Sequence, residues 1–236
     1  MVFIHINVKL SIRVIWKLEL KYITQYFIKF KNEGYKFVAI SVLVTFILLL
    51  ISKFLGFIGL LITIWVYYFF RDPDRVSIDD QDYLVSPADG LITQIIETNG
   101  PKEFSLENKK FTRVSIFMSV FNCHVNRSPV LAIIEDIFYV PGKFFNATLD
   151  KASEENERNL IKFKTNNGDE IVVVQIAGLI ARRIVCECSK SQTLQQGEKI
   201  GMIRFGSRVD IYFNNYKNLV KQNQTTVAGE TLIAKK

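Results

Sequence analysis

Apolar residues fill two adjacent stretches near the start of the chain, 37–52 (FVAISVLVTFILLLIS) and 54–70 (FLGFIGLLITIWVYYFF), parted only by Lys53. A membrane-spanning helix needs roughly 17–25 residues, so each run is marginal alone. Together they predict a helical hairpin that turns near Lys53 and Gly56, or a re-entrant anchor. Tyr35, Trp65, Tyr67 and Tyr68 sit near the run ends, where interfacial aromatics belong. A buried pair of core helices is the plain alternative. Basic residues precede the first run, and Arg71 and Arg75 follow the second, which predicts that both ends face the cytoplasm. The run starts late and no small-residue cleavage pattern follows it, so it does not read as a signal peptide.

Upstream, residues 8–22 alternate apolar and polar with period two, yet a strand of that length would be unusual. Lys9, Arg13, Lys17 and Lys21 also fit one helical stripe, with Ser11 and Glu19 spoiling the opposite face. The element stays open, and the segment reads as membrane-surface contact. From Arg71 onward the pattern changes to short β-rich segments: Leu91–Glu97, Phe111–Phe117, Val130–Val140, Ile171–Ala177, Ile200–Phe205, Val209–Phe213 and Thr226–Ala234. Turn signals part them, among them Asn99-Gly100-Pro101, Pro141-Gly142 and Asn166-Asn167-Gly168-Asp169. The one helix-like stretch is the polar Ser153–Leu160. The fold class is therefore mainly β, a compact β-barrel or sandwich behind an N-terminal membrane-associated helical hairpin. The predicted organisation is a basic surface segment over 1–34, an apolar anchor over 35–70 and a folded domain over 71–236.

Composition narrows the function. The 236 residues carry 30 Lys+Arg against 23 Asp+Glu, a net +7 that alone could suggest a nucleic-acid partner. Residues 1–36 hold most of that excess (Lys9, Arg13, Lys17, Lys21, Lys29, Lys31 and Lys36 against Glu19 and Glu33), which marks a membrane flank and no nucleic-acid face. Three cysteines, Cys123, Cys186 and Cys188, imply no disulfide framework and point to a reducing compartment. Cys186-x-Cys188 would place both thiols on one face of a strand, and without a nearby histidine it reads as packing before metal. With only His5 and His124 in the chain, no metal site is expected, and imidazole chemistry in the folded domain falls to His124.

One dipeptide invites chemistry. Gly206-Ser207 lies between the β-like Ile200–Phe205 and Val209–Phe213. The plain reading is a turn or bulge. The reactive reading is a self-cleaving junction: the Ser207 hydroxyl attacks the Gly206 carbonyl, the amide rearranges to an ester, and elimination then hydrolysis leave a pyruvoyl group. Glycine suits the attacked position because it carries no side chain and tolerates strained backbone. A base for the hydroxyl, itself oriented by a carboxylate, is also required.

The rest of the chain supplies the context. Arg71-Asp72-Pro73-Asp74-Arg75, Ser86-Pro87-Ala88-Asp89-Gly90, Phe117 to Pro129 around His124, Gln175-Ile176-Ala177-Gly178 through Ala181-Arg182-Arg183-Ile184, and Phe205-Gly206-Ser207-Arg208 follow one another in order. From about Glu33 to Ala234 the chain resembles the phosphatidylserine decarboxylase proenzymes of the short, membrane-anchored bacterial and archaeal type. The resemblance implies decarboxylation of phosphatidylserine to phosphatidylethanolamine in phospholipid biosynthesis, at the cytoplasmic face of the cell (inner) membrane. It implies that the chain cuts itself between Gly206 and Ser207. Ser207 becomes the pyruvoyl cofactor and forms a Schiff base with the substrate amine, and Gly206 ends the large chain. Residues 1–206 and 207–236 would then pair as a heterodimer, with further oligomerisation left open. Asp89 matches the acidic member of the processing triad, and His124 is its base by default. The longer type carries a second histidine three residues after the first, where this chain has Arg127. Arg127 and Arg182 are candidate donors for the phosphate headgroup. Asn214 and Asn223 stand where a proline and a glycine are expected, and asparagine tolerates the left-handed backbone such a glycine adopts.

Two other readings compete. Thr148-Leu149-Asp150-Lys151-Ala152-Ser153 is similar to the tip of lipoyl carrier domains, with Lys151 as the lipoate carrier, although 154–159 makes a poor returning strand. A membrane-tethered structural β-domain that never matures is the third.

Overall fold

The computed structural model describes residues 29–144, 155–178, 183–204 and 207–236. The chain divides into two compact units, Met1–Asp74 and Arg75–Lys236. Most of the basic segment expected over 1–34 lies outside the described residues.

In the first unit, α1 (Tyr35–Ile51) and α2 (Lys53–Phe69) are the two apolar runs. Ser52 is both the end of one and the start of the other. Its backbone is extended (φ −160°, ψ 137°), and its Oγ accepts the Phe54 N–H at 3.3 Å, satisfying a donor that the first turn of α2 cannot pair internally. The hairpin turns at Ser52, one residue before Lys53. Small residues let the helices approach. A Cβ on Gly59 would sit 2.9 Å from Thr45 Oγ1, and one on Gly56 would strike Leu49. Thr45 donates to the Ser41 carbonyl at 2.8 Å, so in the 2.9 Å contact between the two hydroxyls Thr63 is the donor. The outward faces stay apolar all round, with Leu43, Phe46, Leu50, Phe54, Phe57 and Leu61 exposed. Asn32–Ile51 is long and apolar enough to cross a membrane. The open end of the hairpin is closed by a short strand bridge between Phe30 and Arg71 and by stacking of Phe30 on Tyr67 and of Phe37 on Phe70, each with centroids 5.1 Å apart. Arg71 lies 3.8 Å above the Tyr68 ring and Lys29 pairs with Asp74, so cations and aromatics gather at that end.

The second unit is mainly β. In chain order its strands are β1 (Tyr83–Val85), β2 (Gly90–Asn99), β3 (Lys110–Met118), β4 (Val125–Arg127), β5 (Ala132–Val140), β6 (Arg158–Lys164), β7 (Glu170–Ala177), β8 (Ile184–Cys186), β9 (Thr193–Leu194), β10 (Lys199–Ile203), β11 (Ser207–Phe213), β12 (Lys217–Asn218), β13 (Thr225–Thr226) and β14 (Leu232–Lys235). Eight form a curled, half-barrel antiparallel sheet in the order β13-β2-β3-β11-β7-β6-β5-β9. Two three-stranded sheets, β1-β14-β12 and β4-β10-β8, contribute to the same core. Alternation along β11 sets the two faces. Val209, Ile211 and Phe213 join Ile116, Met118, Ile134, Val173 and Ile203 in the main core, while Tyr212 packs on the other face with Leu160, Val174 and Ile176. β7, the run Ile-Val-Val-Val between Glu170 and Gln175, is buried from Ile171 to Ala177, as a central β-branched strand should be.

Several local expectations need correction. Within the helix-like stretch expected over Ser153–Leu160, the described Arg158–Leu160 begins β6, which pairs with β5 and β7. Its polar start is stabilised by distant partners: Arg158 meets Glu103 at 2.6 Å and Asn159 donates to Gln175 at 2.9 Å. The objection that no strand returns after 150–153 is therefore removed, while Lys151 itself lies outside the described residues. Thr226–Ala234 is two short strands, because the chain turns through Ala228 and Gly229, which has φ +78°. Asn223 has φ +67°, the left-handed backbone anticipated for it.

Candidate active site

The curled sheet gathers the marked motifs at one end. Ser207 opens β11 between Met118, the last residue of β3, and Ala177, the last of β7. Leu91 pairs with Phe117, so Gly90, the first residue of β2, lies opposite Met118. At the usual spacing of about 4.8 Å between strands, Gly90 is about 10 Å from Ser207 across the β3 strand. A Cβ on Gly90 would strike the Phe117 carbonyl, so glycine is required where β2 approaches β3.

Asp89 precedes that glycine and is largely buried. Its Oδ2 accepts from Arg75 at 2.8 Å and its Oδ1 from the Ala228 N–H at 2.8 Å, so a charge and a backbone donor fix the carboxylate from two sides. The turn before it is held by Ser86, whose hydroxyl donates to the Ala88 carbonyl at 2.8 Å.

His124 is fully buried. Its Nδ1 lies 3.0 Å from the Asn122 carbonyl. A carbonyl only accepts, so Nδ1 carries a proton, and in the neutral ring Nε2 is the acceptor nitrogen, the state a general base needs. Asn122 is itself fixed, its Oδ1 accepting from the Ser119 N–H at 2.8 Å and hydroxyl at 2.7 Å. A turn two residues upstream thus engages the imidazole at Nδ1. The His124 carbonyl accepts from the Ile203 N–H at 3.2 Å, tying the histidine segment to the strand that runs toward Ser207.

Ser207 is also fully buried. Its hydroxyl lies 3.4 Å from the Met118 sulfur, a weak acceptor. The same sulfur is 3.7 Å from the Asn126 amide nitrogen. Asn126 is aligned by a chain of buried amides: Gln175 donates to its Oδ1 at 2.9 Å, and Asn159 donates to Gln175 at 2.9 Å. Sequence reasoning assigned no role to Met118, Asn126, Gln175 or Asn159. Gln175 did carry a signal, a single amide inside the apolar run Ile171–Ala177, and Asn126 lies two residues after His124. A carbonyl at the Ser207 position would suit these surroundings, because it needs no acceptor where the hydroxyl meets a thioether, a weak one.

On the opposite face, Arg208 and Asp210 form a two-pronged ion pair (Nε–Oδ1 2.6 Å, a second nitrogen to Oδ2 2.8 Å), both buried. Charges at alternate positions share one strand face, so this pair anchors the residue next to Ser207. Removing one partner of such a buried pair would cost about 3–5 kcal/mol. Arg127 is buried in β4 and donates to the Gly197 carbonyl at 2.8 Å. It borders the Asp89 neighbourhood, since a Cβ on Gly229 would lie 3.2 Å from Arg127 and 3.6 Å from Arg75. Gly206 and Arg182 lie outside the described residues. Among the described residues no group of three or more histidine, cysteine or acidic side chains could hold a metal ion.

A family model described as phosphatidylserine decarboxylase matches residues 62–234. The chain is 64% identical over 210 residues to the phosphatidylserine decarboxylase proenzyme of Pelagibacter ubique, covering 89% of this chain and 98% of that one. It is 52% identical over 203 residues to the proenzyme of the same name from Ruegeria pomeroyi, covering 86% and 93%. A third, from Rickettsia typhi, is 50% identical over 204 residues, covering 86% and 88%. The chain is thus an enzyme of the decarboxylase class. It belongs to the phosphatidylserine decarboxylase family.

Proposed function

We propose that the chain cuts itself between Gly206 and Ser207 and then decarboxylates phosphatidylserine to phosphatidylethanolamine with a pyruvoyl group made from Ser207. The observation that carries this reading is the buried Ser207 hydroxyl, which opens β11 at the sheet end shared with Asp89 and the His124 segment. The His124 Nε2 takes the Ser207 proton as Oγ attacks the Gly206 carbonyl carbon. The C–N bond breaks, the Ser207 nitrogen regains a proton, and an ester remains. Abstraction of the Ser207 α-proton expels the Gly206 carboxylate, and water releases ammonia from the new N-terminus. Asp89, held by Arg75 and the Ala228 N–H, supplies the negative potential that favours the imidazolium. In the mature enzyme the pyruvoyl group supplies an electrophilic carbonyl for the substrate amine and an electron sink for the pair left by CO2. Arg127 and Arg182 hold the phosphodiester, and the buried, largely apolar wall of Met118, Ala177 and Val209 limits water at the reacting carbon.

The two products stay together in this reading. β11 pairs along its length with β3 on one side and β7 on the other, so residues 207–236 are built into the sheet that residues 1–206 complete. Reductive trapping tests the mechanism. Cyanoborohydride added during turnover on phosphatidylserine vesicles should attach the lipid amine to the 207–236 fragment and abolish activity, with no cofactor added. Phosphatidylcholine, whose nitrogen bears no hydrogen, should neither react nor label. An adduct on a lysine, or a requirement for pyridoxal phosphate, would overturn the pyruvoyl assignment.

The hairpin of α1 and α2 holds the domain to the cytoplasmic face of the inner membrane, its open end and basic flank toward the headgroups. Burying a CH2 is worth about 0.8 kcal/mol, so its exposed Leu, Ile and Phe side chains anchor firmly. Alkaline carbonate should leave the 1–206 chain, which carries the hairpin, in the membrane pellet. Its release to the supernatant would contradict an inserted hairpin.

A further inference from the structure

The three cysteines occupy very different settings. Cys123 is buried, whereas Cys186 is exposed and Cys188 half-buried at the end of β8. The Cys186 and Cys188 sulfurs lie 3.6 Å apart, and the Cys186 thiol also reaches the Cys188 carbonyl at 3.5 Å. The strand partner opposite Cys186 is Gly201, so no side chain covers the sulfur from β10. A side chain is barred there, because Gly201 has φ +148° and a Cβ would strike the Val185 carbonyl.

We propose that Cys186 and Cys188 are a reactive dithiol that hydrogen peroxide converts to an intrachain disulfide, with Cys186 attacking and Cys188 resolving. The Cys186 sulfur attacks one peroxide oxygen, the O–O bond breaks, and hydroxide leaves and is protonated to water. The sulfenic acid on Cys186 is then attacked by the Cys188 sulfur, which gives up its proton as a second water departs. Two electrons pass from the sulfur pair to the peroxide, and two waters form for one S–S bond. The shared proton sets the order. The Cys188 thiol, 3.6 Å away, brings the Cys186 thiol down to about 6 against burial, while the same contact pushes Cys188 up. The attacking sulfur is therefore mostly thiolate at neutral pH, beside a protonated resolving thiol. Closing the bond requires the sulfurs to move from 3.6 Å to about 2.05 Å, within the reach of two rotating side chains on a strand end.

The test reads mass and not decarboxylation. Purified protein treated with stoichiometric hydrogen peroxide should lose two hydrogens from the chain that carries both cysteines, regained with dithiothreitol, and the cross-linked peptide should contain both residues. In Cys188→Ser the product should stop at one added oxygen on Cys186, which dimedone captures. In Cys186→Ser the reaction should slow by more than about tenfold. The rate for the native protein should fall with acid through a midpoint near 6. The proposal is overturned if Cys123 oxidises as fast as the pair, or if the rate is the same in urea, which would make the reactivity that of any thiol. A tightly bound copper or zinc ion that masks both thiols until chelated would also overturn it, assigning the pair to a soft metal.

Discussion

Ser207→Ala should remain a single full-length chain with no decarboxylase activity, while the wild-type protein resolves on a denaturing gel into fragments ending at Gly206 and starting at Ser207. The native hydroxyl contacts a thioether at 3.4 Å, a weak acceptor, so its removal strips no buried partner of an essential bond. The cost to stability should stay within about 1 kcal/mol, and the backbone pairs with Met118 and Ala177 are untouched. Fold and chemistry are therefore separable at this position: a normal thermal melt with no cleavage is the expected combination. The wild-type small fragment should also resist N-terminal sequencing, because its first residue has lost its amine. If the alanine variant still yields two chains, the nucleophile is not Ser207 and cleavage proceeds by other chemistry.

How far this site could be read from the sequence depended on whether each signal was local. The hairpin was legible because both helices are continuous apolar runs, and only the position of its turn needed the cap formed by Ser52. β7 and β11 were legible from β-branched runs and alternation. β6 was not, since the polar residues at its start gain their stability from Glu103 and Gln175, 55 and 16 residues away. The same non-locality hid the amide chain behind Met118, whose members lie on β3, β4, β6 and β7. The motifs named Ser207, His124 and Asp89 but could not say that a carbonyl two residues from the histidine orients it. Nor could they show that Asp89 is engaged by Arg75 and the Ala228 N–H. The Cys186 and Cys188 pair shows the opposite failure: the spacing was visible, but exposure and the facing Gly201 were not.

His124→Ala should slow self-cleavage by about 10²- to 10⁴-fold, the usual contribution of a positioned base. The Asn122 carbonyl fixes the Nδ1 proton, so Nε2 is the nitrogen able to accept from a hydroxyl, and no other histidine belongs to the Arg75–Lys236 unit. Asp89→Asn preserves size and the bond from the Ala228 N–H if its oxygen takes the Oδ1 place, but removes the charge that faces Arg75. It should slow cleavage and also lower the melting temperature, because Arg75 loses its counter-ion in a largely buried pair. The two effects can be told apart by timing cleavage of freshly synthesised protein well below the melting temperature of each variant. A processing defect in Asp89→Asn that disappears on cooling would reduce Asp89 to a structural anchor. A defect that persists at every temperature keeps it in the reaction, acting through His124. His124→Ala is the sharper test of the two: maturation at the wild-type rate would remove the imidazole from the mechanism and leave the Ser207 proton to another acceptor at the same sheet end.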